Sequence, residues 1–148
     1  MNMISHLTHS TKSYPTSSVE RKWVLVDVSG KILGRAATEI ANILSGKGKT
    51  AYSPNIDIGD YVVVINAKDV KVTGRKDLQK IYTNYSGYPG GLKKLALGKA
   101  MDKSPVQVMR RAISGMLSKN KLRDRRLARL HIYNDANHEF VSRFEKKV

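Results

Sequence analysis

The sequence has no cysteine, no long hydrophobic run and few acidic residues. Without cysteine, disulfide bonds and thiolate metal sites are excluded. No apolar run could span a bilayer, and no segment opposes a strongly apolar helical face to a lysine-rich one, so no membrane partner is expected. The 148 residues include 12 Asp and Glu against 27 Lys and Arg, a formal net charge of +15. So large an excess of one sign favours a polyanionic partner, and nucleic acid is the usual one.

Length and hydrophobic content predict one domain with an extension at each end. Hydrophobic residues make up 41% of the chain, enough for one core. Residues 1–18 are rich in Ser and Thr, so we expect residues 1–22 to form an extension that is flexible or becomes ordered only against a partner. They lack the apolar segment of a secretory signal; a transit peptide stays open, although no arginine precedes Arg21. We expect a single domain at 23–134, with nucleic acid as its expected partner, and a tail at 135–148.

Apolar periodicity predicts an α/β domain. The apolar run at 60–66 is typical of a strand that is covered on both faces. Strand, helix and strand in succession predict a small sandwich with a mostly parallel sheet. The predicted strands are 23–28, 60–66, 70–74, 80–85 and 131–133. The predicted helices are 33–44, 92–100, one that starts at Ser104–Pro105, and a basic one at 122–130.

A glycine-rich loop at Ser86–Lys93 stands out within this basic chain. Three glycines and a proline in five residues exclude a helix or a central strand. Tyr85 and Tyr88 stand around the loop, and Lys94 follows it. Such a loop lets a sugar-phosphate backbone approach closely and offers aromatic faces to bases and cations to phosphates. The alternative is an ordinary surface loop whose tyrosines pack on their own domain.

A second basic segment occupies 118–129, with six cations and one anion. Arg123, Arg126 and Arg129 lie three residues apart. Because the charges are nearly all of one sign, pairing along the helix cannot neutralise them. Arginine also suits bidentate contacts with phosphate. We therefore predict nucleic-acid contact here, with a merely solvated face as the alternative.

Two further patterns invite a catalytic or ligand-binding interpretation. The segment 46–50, Gly-Lys-Gly-Lys-Thr, ends like a P-loop, but Ile43 stands where the first glycine is required and a helix precedes it. Phosphate-contacting lysines are the better interpretation. Asp57 and Asp60 lie in a turn-like segment and are interpreted as turn residues that bond to nearby backbone. The histidines lack zinc-type spacing, and no nucleophile–base motif occurs.

Short motifs stand in a fixed order from Trp23 to about Tyr133; they include the segment 46–49, the loop Ser86–Lys93 and the pair Lys119–Asn120. In their order and spacing, these motifs resemble the bacterial-type large-subunit ribosomal protein thirteen family. The resemblance implies a three-layer α/β/α sandwich with a small, about four-stranded, mainly parallel sheet. It implies a structural constituent of the large ribosomal subunit that binds large-subunit ribosomal RNA and supports early assembly. It implies no catalytic residue and no cofactor. The matching motifs include Leu33–Gly34–Arg35–Ala36, Gly46–Lys47–Gly48–Lys49, Pro54…Asp57…Gly59–Asp60, Ser86–Gly87–Tyr88–Pro89–Gly90–Gly91–Leu92–Lys93, and Gly115–Met116–Leu117…Lys119–Asn120.

The expected partners are large-subunit ribosomal RNA and neighbouring large-subunit ribosomal proteins. We expect no membrane, no small-molecule substrate and no homo-oligomer. The motifs carried over by position, together with the excess of cations over acids, give a set of expected RNA contacts: Arg35, Lys47, Lys49, Tyr52, Arg75, Lys76, Tyr85, Gly87, Tyr88, Gly90, Gly91, Lys93, Lys94, Lys119, Asn120, Lys121, Arg123, Arg125, Arg126 and Arg129.

The resemblance leaves several points open. Asn137–His138–Glu139–Phe140 replaces the family's His-Pro-His ending, so the path of the chain from Asn134 is not predicted. The cytoplasmic ribosome is the expected location, with a mitochondrial or plastid ribosome as the alternative. Two other functions stay open: a free regulatory RNA-binding module, and a basic metal-dependent RNA-processing enzyme that would use Asp57 and Asp60 with Mg²⁺.

Overall fold

The computed structural model describes residue 15 and residues 18–144. Most of the predicted N-terminal extension and the last four residues of the predicted tail lie outside the described residues. The elements follow in the order β1 (Trp23–Asp27), α1 (Leu33–Ser45), β2 (Tyr61–Ile65), a 3-10 turn (Ala67–Asp69), α2 (Lys76–Gln79), β3 (Ile81–Tyr85), β4 (Leu92–Ala96), α3 (Leu97–Lys103), α4 (Pro105–Met116), α5 (Arg123–Ala128), β5 (Leu130–Ile132) and α6 (Val141–Phe144).

A three-stranded parallel sheet with the strand order β1-β2-β5 forms the centre of the fold. Val24 lies opposite Val62, and Val62 lies opposite Leu130. Val62, Val63 and Val64 in the central strand are all 0% exposed, which explains the continuous apolar run. The strands predicted at 23–28, 60–66 and 131–133 and the α/β class are confirmed.

The sheet has fewer strands than expected. The segment predicted as a strand at 70–74 forms one parallel bridge, between Lys71 and Ile32, and does not extend the sheet. The described residues therefore hold three strands in the parallel sheet, where about four were expected. Gly74 has φ +70°, and turns flank this segment, so too few consecutive residues are extended to pair as a strand. The three-layer arrangement stays a prediction.

Helices α1 and α4 cover one face of the sheet. Ala37, Ile40 and Leu44 of α1 join Met109 and Ile113 of α4 in one core cluster with the central strand. Apolar side chains at helical spacing produce this packing, because they fall on one side of each helix. The helix predicted at 33–44 and the helix start at Pro105 are confirmed.

Aromatic side chains cover the other face of the sheet. Trp23 stacks on Tyr61 with ring centroids 4.5 Å apart, and it also stacks on Phe140 at 4.9 Å. The ring of His131 lies 4.4 Å from that of Phe140. The structure thereby gives the path that the sequence left open: the chain after Asn134 returns to the sheet and packs Phe140 against its outer face.

A separate antiparallel hairpin, β3–β4, projects from the sheet domain. Tyr85 lies opposite Leu92, so residues 86–91 form the loop at its tip. The prediction of a helix from Leu92 is wrong for its first five residues, which belong to β4. The apolar spacing there also suits a helix, but the tight loop returns the chain beside β3, where its backbone groups find partners. The helix begins at Leu97.

Candidate nucleic-acid interface

The glycine-rich loop takes a conformation that glycine alone adopts easily. Gly87 and Gly90 have φ values of +89° and +74°, in the left-handed region. The Gly91 amide donates a hydrogen bond to the Tyr88 carbonyl oxygen at 2.9 Å. A Cβ on Gly91 would come within 2.1 Å of the Ser86 hydroxyl oxygen. The loop therefore holds a defined shape at the tip of the hairpin.

The tyrosines of this loop do not pack on their own domain. The side chains of Tyr85 and Tyr88 are 62% and 75% exposed. Lys93 and Lys94, on the returning strand, are exposed as well, and among the described residues neither forms an ion pair. The alternative of an ordinary loop with self-packed tyrosines is thus wrong. Two aromatic rings and two free cations stand around one rigid turn, an arrangement that suits stacking on bases and contact with phosphates.

The lysines after α1 differ in what they can reach. Lys47 is exposed, and Gly46 before it ends α1 with φ +77°. Lys49 donates to the backbone oxygen of Glu20 at 2.8 Å and to Oδ1 of Asp60 at 2.6 Å. Lys49 is therefore tied to its own domain. No helix follows this segment before β2, in agreement with the rejection of a P-loop. Tyr52 is 37% exposed.

The basic segment at 118–129 divides into an exposed part and a buried part. Lys119, Lys121 and Arg125 are exposed. Asn120 is exposed too, and its side-chain oxygen accepts a hydrogen bond from the Leu122 amide at 3.2 Å, which holds the start of α5. Arg123 is half-buried and donates a hydrogen bond to the Ser114 hydroxyl.

Two of the predicted RNA contacts, Arg126 and Arg129, are instead buried inside the protein. Their exposed fractions are 2% and 7%. Both terminal nitrogens of Arg129 donate hydrogen bonds to the Asp57 carboxylate, and Nη2 lies 2.6 Å from Oδ1. Nε of Arg126 lies 3.6 Å from the same oxygen. Helix α5 itself carries one acid, Asp124, whereas Asp57 belongs to a loop 72 residues before Arg129 in the chain.

The interpretation of Asp57 and Asp60 as turn residues that bond to nearby backbone is also wrong. Asp57 is the carboxylate that both buried arginines face. Asp60 accepts the Lys22 amide at 2.8 Å and the Lys49 ammonium. Gly59, between them, passes so close to α1 that a Cβ there would lie 1.8 Å from the Leu44 carbonyl oxygen. Because cations of the protein itself engage both carboxylates, the hypothesis of a metal-dependent enzyme loses the two ligands that it proposed for Mg²⁺. Among the described residues, no group of three or more His, Asp or Glu is placed to hold a metal ion.

The remaining predicted contacts lie around a groove beside α4. Arg35 in the first turn of α1 and Lys76 in α2 line a cavity of about 790 Å³. Arg75 is exposed just before α2. Lys80 and Arg111, which the sequence analysis missed, line the same cavity. Arg111 lies on the exposed side of α4, an amphipathic helix whose other side is buried. An exposed arginine at such a position is common, so no local pattern singled it out.

Comparison with known proteins identifies the family. A family model described as "Ribosomal protein L13" matches residues 21–139. The chain is thus a ribosomal protein and not an enzyme. It belongs to the ribosomal protein L13 family. No helix in the described ranges has the length and apolar character that crossing a membrane requires.

Bacterial relatives align with nearly the whole chain. A protein of Geobacter sp. (strain M21) named "Large ribosomal subunit protein uL13" is 47% identical over 130 residues, which cover 88% of this chain and 92% of the relative. The protein of the same name from Thermus thermophilus is 47% identical over 93% of this chain and 98% of its own. That from Clostridioides difficile is 50% identical over 86% of this chain and 90% of its own.

Proposed function

We propose that this protein is a structural constituent of the large ribosomal subunit that binds large-subunit ribosomal RNA, chiefly through phosphates, and supports early assembly of the subunit. The observation that carries the proposal is the placement of exposed cations on or beside ordered turns, without an acidic partner among residue 15 and residues 18–144: Lys93 and Lys94 on the hairpin, Lys47 after α1, and Lys119 and Lys121 before α5. The names of the bacterial relatives support it.

The α/β core serves to hold these turns in fixed relative positions. Each turn then neutralises phosphates of a different RNA segment, so that segments which repel one another can pack together. Contacts of this kind position RNA more than they read its sequence. Tyr85 and Tyr88 add faces on which unpaired bases can stack. Neighbouring large-subunit proteins are the other partners in this proposal, and the bacterial relatives support a cytoplasmic ribosome as its location.

A salt titration of the full chain on a large-subunit ribosomal RNA transcript tests the proposal. Each phosphate that the protein neutralises releases counterions, so the logarithm of the binding constant falls with the logarithm of salt concentration by about 0.7 to 0.9 per contact. We expect a steep negative slope from several contacts. A slope near zero would contradict phosphate-dominated binding.

Sedimentation separates this proposal from a free regulatory RNA-binding module. A constituent of the subunit co-migrates with large subunits and with their assembly precursors. A regulator that acts outside the particle stays near the top of the gradient after the same lysis at low salt. Finding nearly all of the protein there would remove the structural role and leave RNA binding as such untouched.

A further inference from the structure

Two adjoining grooves run along α4, on the side away from the parallel sheet's aromatic face. The first, of about 790 Å³, lies between α4, the start of α1 and α2. The second, of about 500 Å³, lies between α4, α3 and the hairpin. Arg111 lines both grooves and stands where they meet. We refer to the pair as the α4 channel.

All the charged residues that line the α4 channel, among those the structure describes, are cations. Arg35, Lys76, Lys80 and Arg111 line the first groove, and Lys93 and Lys103 line the second with Arg111. Neither groove is lined by an acidic residue of the described part of the chain. Glu39, one helical turn beyond Arg35 on α1, forms its ion pair with Lys31 at 3.7 Å instead. The described part of the chain gives none of the six channel cations an acidic partner.

The floor of the first groove is apolar. Leu33 and Leu97 are buried beneath it, and Val72 is half-buried at its side. Met116 at the end of α4 is 53% exposed there. An apolar floor inside a cationic rim is the combination that an unpaired nucleotide satisfies, because its base is apolar on both faces while its phosphate is anionic.

Arg111 is held in position before any ligand arrives. Its guanidinium lies over the Tyr82 ring, 5.1 Å from the ring centroid, and the Lys80 ammonium lies 5.5 Å from the same centroid. A cation over an aromatic face keeps its N–H groups free for an anion at the edge. Because its rotamer is already restricted, Arg111 loses less conformational entropy when it binds phosphate.

We propose that the α4 channel binds an unpaired segment of RNA, with one base against the floor at Met116 and the flanking phosphates held by Arg35, Lys80 and Arg111. The inference rests on the proposed function, since it names a binding surface for the same class of partner. A duplex is excluded from the floor, because its bases are stacked inside the helix and its convex backbone meets only the rim. The basic extension of another ribosomal protein is disfavoured by the uniform positive charge.

The test compares full-chain variants for binding to a short single-stranded RNA of mixed sequence and to the same strand annealed to its complement. Arg111→Gln and Lys80→Gln should each reduce the salt slope for the single strand by about 0.7, which is about fivefold weaker binding at about 0.1 M salt. Arg143→Gln and Lys99→Gln are the matched controls. Arg143 lies over the Trp23 ring at 5.8 Å, on the opposite face of the protein, and Lys99 is exposed outside the channel.

The apolar floor has its own variant. Met116→Ser should weaken binding of the single strand without changing the salt slope, because it removes contact with the base and no charge. Leu78→Ser is its control, since Leu78 is 77% exposed and lines neither groove. Circular dichroism and urea unfolding verify that each variant is folded before its affinity is interpreted.

Four results would overturn the proposal, and three of them come from these binding measurements. The channel variants could bind single-stranded RNA as their controls do, duplex RNA could bind as tightly as the single strand, or Met116→Ser could leave the affinity unchanged. Failure of the broader function looks different, because the wild-type chain would then show no salt-dependent binding to the large-subunit transcript. In the fourth result, ribosomal particles that contain a channel variant lose a neighbouring protein while the variant still binds RNA. The channel would then bind a protein, and the proposal would likewise be overturned.

Discussion

The sheet domain and the β3–β4 hairpin differ in how far their large apolar side chains are buried. The three valines of the central strand, Val62, Val63 and Val64, are fully buried in the core. The hairpin leaves Ile81, Tyr85 and Leu92 more than half exposed, although these residue types are usually covered. Its own backbone pairing, the glycine loop, and the packing of Tyr82 and Leu95 against the core give it order. Large apolar groups left in solvent on a rigid element indicate a surface reserved for a partner.

The same contrast divides the cations. Arg126 and Arg129 belong to the sheet domain, where both face the Asp57 carboxylate inside the fold. Lys93 and Lys94 on the hairpin have no such partner among the described residues. A count of basic residues treats the two groups alike, but only the second is available to phosphate. Net charge therefore predicts the kind of partner, and burial decides which side chains reach it.

The largest effect is expected where the buried charges lose their partner. Asp57→Asn keeps the size of the side chain but leaves the guanidinium groups of Arg126 and Arg129 without a compensating anion. Removing one partner of a buried ion pair destabilises a protein by about 3–5 kcal/mol, and we expect the low end because the network is not fully closed to solvent. Urea unfolding measures this loss.

Asp135→Asn is the control for Asp57→Asn. Asp135 pairs with Lys68 in solvent, and this pairing raises the pKa of Lys68. An exposed pair contributes little to folding, so the unfolding midpoint should stay where it is. Equal losses for the two variants would mean that the Asp57 network is no more important than a surface pair, and the division of the cations would fail.

An intermediate effect is expected on the hairpin, where affinity should change and stability should not. Tyr88→Ala removes an exposed ring, so the free energy of unfolding should stay within about 0.5 kcal/mol of the wild type. Affinity for large-subunit RNA should fall by about 1–3 kcal/mol if one base stacks on this ring. Filter binding and urea unfolding on the same preparation give both values. A stability loss with unchanged affinity would place Tyr88 with the core.

The smallest effect concerns pH and the aromatic face of the sheet. Burial lowers the pKa of His131 below its usual 6.5, Arg110 lowers it further, and Glu139 acts in the opposite direction. The unfolded chain therefore takes up this proton at a higher pH than the folded protein does. Above pH 6.5 both states are neutral and the group has no effect, whereas stability decreases as the pH falls below 6.5 towards the folded-state value.

His131→Gln isolates this contribution. Thermal unfolding of the wild type and of the variant between about pH 7.5 and 5.5 should show the steeper loss in the wild type, because the variant has no proton to gain at this position. Parallel curves for the two proteins would mean that His131 titrates alike in both states, and that the cover formed by Phe140 is open to water.

Much of the fold could be predicted because it follows from local patterns. The apolar run at 60–66 and the helical spacing from Leu33 to Leu44 each define an element that burial then stabilises. The glycine loop was identified for a similar reason, since positive φ at Gly87 and Gly90 is a local requirement. The helix predicted from Leu92 failed because two local patterns compete there, and pairing with β3, which a window of sequence does not contain, decides between them.

The sequence by itself determined that this protein is a small α/β domain with a large excess of positive charge, and that Ser86–Lys93 is a tight, exposed turn, because composition, periodicity and backbone freedom are properties of neighbouring residues. Only the tertiary structure decided that Asp57 pairs with Arg126 and Arg129, that Phe140 covers the sheet, and that Arg111 joins Arg35 and Lys80 along one channel. These are distances between residues far apart in the chain, and they are fixed by packing.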